Sequence, residues 1–216
     1  MSASMPQKRE RLESMLDVAP IVAVVTIADA GVAAPLAQAL LDGGIAAIEV
    51  TLRTPAALDA IRTIAKNLPQ AAVGAGTVLS VADFEAAAAA GARFAVSPGA
   101  TPALIDAAEK SPLPWLPGAA TASEAMVLAG YGYTLQKFFP AEAAGGVEYL
   151  RALSGPLPGI RFCPTGSVRA DSAPEYLRLP NVIAVGGSWL TPDGLVRARD
   201  WPAISALARA ARALRA

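Results

Sequence analysis

Eight times along this chain of 216 residues, a short run rich in Val, Ile or Phe gives way to a longer amphipathic or alanine-rich stretch. The short runs are 20–27 (PIVAVVTI), 46–52 (AAIEVTL), 71–79 (AAVGAGTVL), 93–99 (RFAVSPG), 114–120 (PWLPGAA), 134–142 (TLQKFFPAE), 160–168 (IRFCPTGSV) and 181–190 (NVIAVGGSWL). The stretches between them predict helices near 29–43, 55–67, 81–91, 102–110, 121–130, 145–154, 171–178 and 201–214. Near-continuous apolar strands that alternate with helices make a parallel sheet covered on both faces. Eight such units predict an α/β fold, a single (β/α)8 TIM barrel. An open doubly wound sheet is the alternative, but it gathers its binding residues at one switch point. Here polar residues, Gly or Pro end nearly every strand, and no GxGxxG follows the first. Leu12, Met15 and Leu16 recur at helical spacing within Arg9 to Asp17, which predicts a short N-terminal helix over the barrel bottom. The chain thus divides into an N-terminal segment and helix, 1–19, and a barrel, 20–216.

Helix-end signals fit this division. Thr54-Pro55 and Thr101-Pro102 read as an N-cap followed by proline at the first helical position. Thr121 and Glu124 have capping-box spacing, and Gly43, Gly91 and Gly130 stand where helices should end.

The available chemistry is narrow because the chain has no histidine. That removes Ser-His-Asp and Cys-His nucleophile systems, His-ligated zinc and imidazole acid–base catalysis. Proton transfer near neutral pH is left to carboxylate, lysine, tyrosine or water. Lys+Arg and Asp+Glu balance at 18 each, so no global field favours nucleic acid. Hydrophobic residues reach 54%, yet no uninterrupted apolar run approaches the roughly 20 residues of a membrane span. The charged N-terminus lacks the apolar core of a secretory signal, and the single cysteine, Cys163, cannot form an intrachain disulfide. A cytoplasmic protein is expected, with Cys163 as a small buried hydrophobe.

Strand parity then locates candidate site residues. In AAIEVTL, Ile48, Val50 and Leu52 suit the helix layer, which turns Glu49, Thr51 and Arg53 inward. In TLQKFFPAE, Leu135, Lys137 and Phe139 share one face. A lysine in such a strand is expensive to bury and is normally paired or neutral. Thr77 stands at the mouth end of the third strand. The seventh and eighth strands end in PTGS (164–167) and GGS (186–188), where glycines allow close backbone approach to a phosphate and Thr165 and Ser188 add hydroxyl donors. Each group has a plainer alternative. Glu49 and Lys137 could form a structural ion pair, Arg53 a surface cation, Thr77 an ordinary strand threonine, and the glycine loops ordinary turns. Together they suggest a lysine nucleophile, a proton-transferring carboxylate, a carboxylate-binding arginine and a phosphate cradle. A lysine kept neutral among Phe138 and Phe139, with a cation such as Arg53 nearby, can form a Schiff base with a ketone; the iminium then accepts electrons for C–C cleavage. No metal or cofactor is required.

The motifs IEVTLRT (48–54), VGAGTVL (73–79), VSPG (96–99), KFFPAEAAGG (137–146), RFCPTG (161–166) and GGSWL (186–190) occur in this order. In them the chain resembles the class I 2-keto-3-deoxy-6-phosphogluconate (KDPG) aldolases, which also act on 4-hydroxy-2-oxoglutarate. The resemblance implies a homotrimeric (β/α)8 barrel that yields pyruvate and glyceraldehyde 3-phosphate, the last step of the Entner–Doudoroff route. It implies Lys137 as the Schiff-base residue and Glu49 as general acid/base. It implies Arg53 and Thr77 at the pyruvyl carboxylate, and Pro98 and Phe139 as pocket lining. Thr165, Gly166, Ser167, Gly186, Gly187 and Ser188 fall in the region of the hydroxylated, phosphorylated end. Many members carry glycine where this chain has Ser167; a positive φ there would strain serine. Arg169 follows closely and is a candidate phosphate contact by spacing. The sister aldolase for the galactonate epimer shares the lysine and glutamate but not the TLRT, KFFPAE and PTG wording; Thr165 would read the epimer. A non-catalytic phosphosugar-binding barrel would bind its ligand without forming an imine. A metal-dependent aldolase would need a ligand cluster, and the sequence offers no convincing one.

Overall fold

The structure is a computed structural model that describes residues 4–215; residues 1–3 of the N-terminal segment and residue 216 lie outside it. Its strands are β1 (Ile21–Val25), β2 (Ala47–Thr51), β3 (Ala72–Gly76), β4 (Ala95–Val96), β5 (Trp115–Leu116), β6 (Gly118–Ala119), β7 (Leu135–Phe138), β8 (Arg161–Pro164) and β9 (Val185–Gly187). The helices are α1 (Met5–Leu16), α2 (Ala33–Asp42), α3 (Ala57–Asn67), α4 (Val81–Ala89), α5 (Pro102–Lys110), α6 (Ala122–Gly130), α7 (Gly146–Ser154), α8 (Ala173–Leu177), α9 (Asp193–Ala198) and α10 (Trp201–Arg212). Each predicted unit is found, with shorter strands. The short α9 was not predicted, since its six residues bury no side chain and leave no apolar stripe to read.

All strand ladders are parallel. One sheet runs β5-β4-β3-β2-β1-β9 and the other β6-β7-β8. The predicted strand 114–120 is divided at Pro117, which has no N–H to give a ladder. Its carbonyl still accepts from Lys137 N at 2.8 Å. Beyond β8, isolated parallel bridges pair Phe162 with Val182 and Thr165 with Gly186. The result is a curled parallel sheet flanked by helices.

Alternation along the strands sorts the buried side chains into two clusters. Ile48, Val50, Val73, Ala75, Phe138 and Phe162 belong to the cluster shared with the helices. Val22, Ala47, Ala72, Val96, Leu116, Leu135 and Cys163 belong to the inner one, and Leu12, Met15 and Leu16 of α1 join them. Helix α1 therefore covers the inner cluster, as its spacing predicts. Lys8 pins it: Nζ donates to the Ala108 and Glu109 carbonyls at 2.9 and 3.0 Å, in the last turn of α5. Lone carbonyls at a helix end are a natural seat for a cation.

Capping follows the sequence at Thr121, where the capping box with Glu124 forms, and at Thr101, which accepts from Leu104 N. It departs at Thr54. Helix α3 starts only at Ala57, and the Thr54 hydroxyl donates to the Ile27 carbonyl instead. Thr54 thus ties the β2 loop to the loop after β1, a tertiary role that local spacing does not reveal.

Candidate active site

Because the strands are parallel, all their C-terminal ends lie on one side, and the candidate residues gather there. Lys137 of β7 and Glu49 of β2 both point inward and are 5% and 3% exposed. Nζ of Lys137 donates to Glu49 Oε1 at 3.1 Å. Neither strand pairs with the other: β2 lies between β1 and β3, and β7 between β6 and β8. The two side chains meet across the interior, not along a ladder. A buried pair of this kind seldom repays its desolvation, so stability alone is a weak reason for it.

Gly76 of β3 makes the room that Glu49 occupies. It pairs with Thr51 on the neighbouring strand, and a Cβ on it would stand 2.2 Å from Glu49 Oε1. A glycine inside a strand marks such a close approach; that signal was present in GAGTVL. The half-buried Phe139 ring has its centroid 5.3 Å from Lys137 Nζ, within cation–π range. Phe138 corrects a sequence expectation. It does not face the amine but turns to the helix layer, where it stacks on Tyr149 at 5.6 Å. Strand alternation requires this, since Lys137 and Phe138 are consecutive.

Arg53 stands on the exposed rim, with Nε donating to Thr77 Oγ1 at 3.1 Å. The charged group that touches Lys137 is Glu49, not Arg53. Thr77 has φ 59, left-handed backbone that is a genuine outlier for a β-branched residue. Strain of this sort clusters at functional sites because only surrounding structure can hold it. Thr51, next inward after Glu49, is buried and shares a hydrogen bond of 2.9 Å with the Thr26 hydroxyl of the β1 loop.

Cys163 is the ladder partner of Lys137 and is buried. Burial, reinforced by the Glu49 charge and opposed by Lys137, pushes its thiol up to about 12. It is a neutral neighbour, as a small buried hydrophobe should be. Two residues on, Thr165 is buried and bridges to Gly186. A Cβ on Gly186 would lie 2.2 Å from Thr165 Oγ1, so this glycine lets the β8 and β9 ends close together. Gly166 has φ 107 and Ser167 φ 60, the left-handed value at which serine is strained. Gly187 is buried and Ser188 exposed at the end of β9. Pro98 is half-buried after β4, in a loop pinned by Ser97, whose hydroxyl donates to the Gly99 carbonyl at 2.6 Å and accepts from Trp115 Nε1 at 3.1 Å. Arg169 is exposed and paired with Asp171, Nε to Oδ1 at 3.1 Å. Among the described residues, no three or more His, Cys, Asp or Glu side chains converge as a metal site.

The KDPG and KHG aldolase family model matches residues 12–207. The chain belongs to that family. A 2-dehydro-3-deoxy-phosphogluconate aldolase of Pseudoalteromonas atlantica is 51% identical over 192 residues, 89% of each chain. A KHG/KDPG aldolase of Escherichia coli is 47% identical over 199 residues, 92% of this chain and 93% of that one. Among solved structures, the KDPG aldolase of Legionella pneumophila superposes with a TM-score of 0.91 at 44% identity, over 93% of this chain and 98% of that one. That crystal structure holds pyruvate captured as a covalent carbinolamine.

Within this KDPG/KHG aldolase frame, three features escaped the sequence reading. Gly76 carried a signal that was open to interpretation. The Thr26–Thr51 hydroxyl pair joins residues 25 apart and had none. The third, a contact between Glu142 and Tyr176, likewise depends on tertiary packing.

Proposed function

We propose that this chain is a metal-independent class I aldolase. It cleaves 2-dehydro-3-deoxy-6-phosphogluconate to pyruvate and glyceraldehyde 3-phosphate, and 4-hydroxy-2-oxoglutarate to pyruvate and glyoxylate. The observation that carries the reading is the buried Lys137–Glu49 contact of 3.1 Å, which puts an amine and a proton acceptor within one transfer of each other.

In this reading Glu49 takes a proton from Lys137, and the free amine attacks the C2 carbonyl of the keto acid. Glu49 returns the proton to the carbinolamine hydroxyl, water leaves, and an iminium forms. Glu49 next accepts the C4 hydroxyl proton as the C3–C4 bond breaks; the electron pair moves into the iminium and the aldehyde departs. The remaining enamine takes that proton back from Glu49 at C3, and water hydrolyses the pyruvyl iminium to restore Lys137. Arg53 and Thr77 hold the pyruvyl carboxylate: a guanidinium matches a carboxylate bidentately, and Nε is already oriented by Thr77. Phe139 and Pro98 line the pocket. Thr165, Gly166, Ser167, Gly186, Gly187 and Ser188 receive the hydroxylated and phosphorylated end, with Thr165 reading the C4 epimer.

The same proposal extends to architecture. Residues 20–216 form one closed (β/α)8 barrel with 1–19 as its N-terminal segment. Support comes from strand 115–119 taking part in both sheets on either side of Pro117, and from the bridges that join the β8 and β9 segments. The meeting of Glu49 with Lys137 from non-adjacent strands also favours closure. A homotrimer in the cytoplasm is the family expectation; among the described residues no helix is long and apolar enough to cross a membrane.

The test is borohydride reduction in the presence of pyruvate, followed by mass spectrometry. One reduced pyruvyl group on Lys137, absent from Lys137→Ala, is expected. Phosphosugar binding without any adduct would overturn the aldolase in favour of a binding barrel. Cleavage of both phosphorylated epimers at equal rates would overturn the epimer assignment.

A further inference from the structure

The loops after β7 and β8 are joined well beyond their strands. Thr165 N donates to the Phe138 carbonyl at 2.9 Å, Ala141 N to the Thr165 carbonyl at 2.8 Å, and Glu142 N to the Gly166 carbonyl at 3.3 Å. Gly166 lies under Phe139: a Cβ on it would stand 3.2 Å from that ring and 3.2 Å from Ala141 N. So the ring beside the lysine amine rests on the backbone of the PTG turn. A shift of either loop moves the other.

One side-chain contact anchors this joint to the helix layer. Tyr176 of α8 is fully buried, and its hydroxyl donates to Glu142 Oε1 at 3.0 Å. Burial first, and then the Glu142 carboxylate, push the phenol above its ordinary range, so it remains a donor. Glu142 is exposed at the mouth, yet its carboxylate is held from below. Gly146, at φ 60, lets the chain pass the pair; a Cβ there would be 3.3 Å from Tyr176 Oη and 3.7 Å from Glu142 Oε2. Glu142 also acts electrostatically on Arg169 of the next loop, more weakly than Asp171 does.

A buried tyrosine reaching to an exposed carboxylate is not needed to fill the core, because phenylalanine would fill the same volume. What the hydroxyl adds is a fixed position for Glu142. We propose that Glu142 and Tyr176 are positioning residues, a strut that sets the joined β7 and β8 loops and so fits the site to the distal end of the long phosphorylated substrate. The inference rests on the aldolase reading above. The strut touches neither Lys137 nor Glu49; it acts through Phe139, Thr165 and Gly166.

The experiment compares wild type with Tyr176→Phe, Glu142→Ala and Glu142→Gln. Steady-state cleavage is measured with 2-dehydro-3-deoxy-6-phosphogluconate and with the shorter 4-hydroxy-2-oxoglutarate, and pyruvate trapping by borohydride is run on the same preparations. A hydrogen bond to a charged group sets the scale, so Tyr176→Phe and Glu142→Ala should raise KM for the phosphorylated substrate about tenfold. KM for 4-hydroxy-2-oxoglutarate and trapping should stay within about twofold, since neither 4-hydroxy-2-oxoglutarate nor pyruvate carries the phosphorylated end. Glu142→Gln keeps an acceptor for the phenol and should restore KM. Equal losses on both substrates with a lowered melting temperature would show a purely structural pair and overturn the proposal. So would unchanged KM in Tyr176→Phe and Glu142→Ala. Absence of trapping in the wild type would overturn the aldolase reading itself, and the strut with it.

Discussion

Gly76→Ala tests whether the site depends on the space that glycine leaves. The added Cβ would fall 2.2 Å from Glu49 Oε1, 2.5 Å from its Cγ and 2.7 Å from its Cδ. Ordinary contact needs the carboxylate to retreat by about 1 Å, and misplacement on that scale can cost on the order of 100-fold in rate. The same retreat stretches the 3.1 Å contact with Lys137 to about 4 Å, outside hydrogen-bond range. Overpacking should also lower stability by about 1–3 kcal/mol. Turnover is measured with a coupled assay for pyruvate, and unfolding by urea. Gly130→Ala is the control, because a Cβ at Gly130 meets nothing within 4 Å. Gly76→Ala with turnover near that of wild type and an unchanged urea midpoint would refute the argument that Glu49 must sit where Gly76 allows it.

Glu49→Gln keeps the volume and loses the proton acceptor; turnover should fall by roughly 10²–10⁴ with the fold intact by circular dichroism. Ser167→Gly removes the penalty of φ 60 and should raise unfolding free energy by up to about 1 kcal/mol, read in urea. Cys163 should resist iodoacetamide at pH 8 in the folded protein and react once unfolded, as judged by mass. Its thiol is raised from 9.0 to about 12 on folding, so the unfolded chain loses this proton first. The stability that it contributes is full below pH 9 and should decline as pH rises toward 12, visible as a falling thermal midpoint.

The alternation of apolar strand and amphipathic helix was legible because it is local, and α1 was legible because Leu12, Met15 and Leu16 repeat at helical spacing. Strand parity placed Glu49 and Lys137 inward, since period two needs no partner strand. Parity also excludes Phe138 from the site, and an expectation that grouped it with Phe139 by sequence proximity ignored that rule. Thr54 reads as a cap but ties to another strand's loop. Pro117 divides a strand that looks continuous, through the N–H it lacks. Glu142 and Tyr176 are 34 residues apart, and neither residue type predicts the other.

By itself, then, the sequence determined the order of the βα units, the faces of their strands, and a chemistry without histidine, left to carboxylate, lysine, tyrosine or water. Only the tertiary structure decided that residues 88 apart on non-adjacent strands meet at 3.1 Å. That distance is set by how far the sheet curls and by where glycine lets a side chain pass. Both are sums of packing over many strands, and no local pattern encodes them.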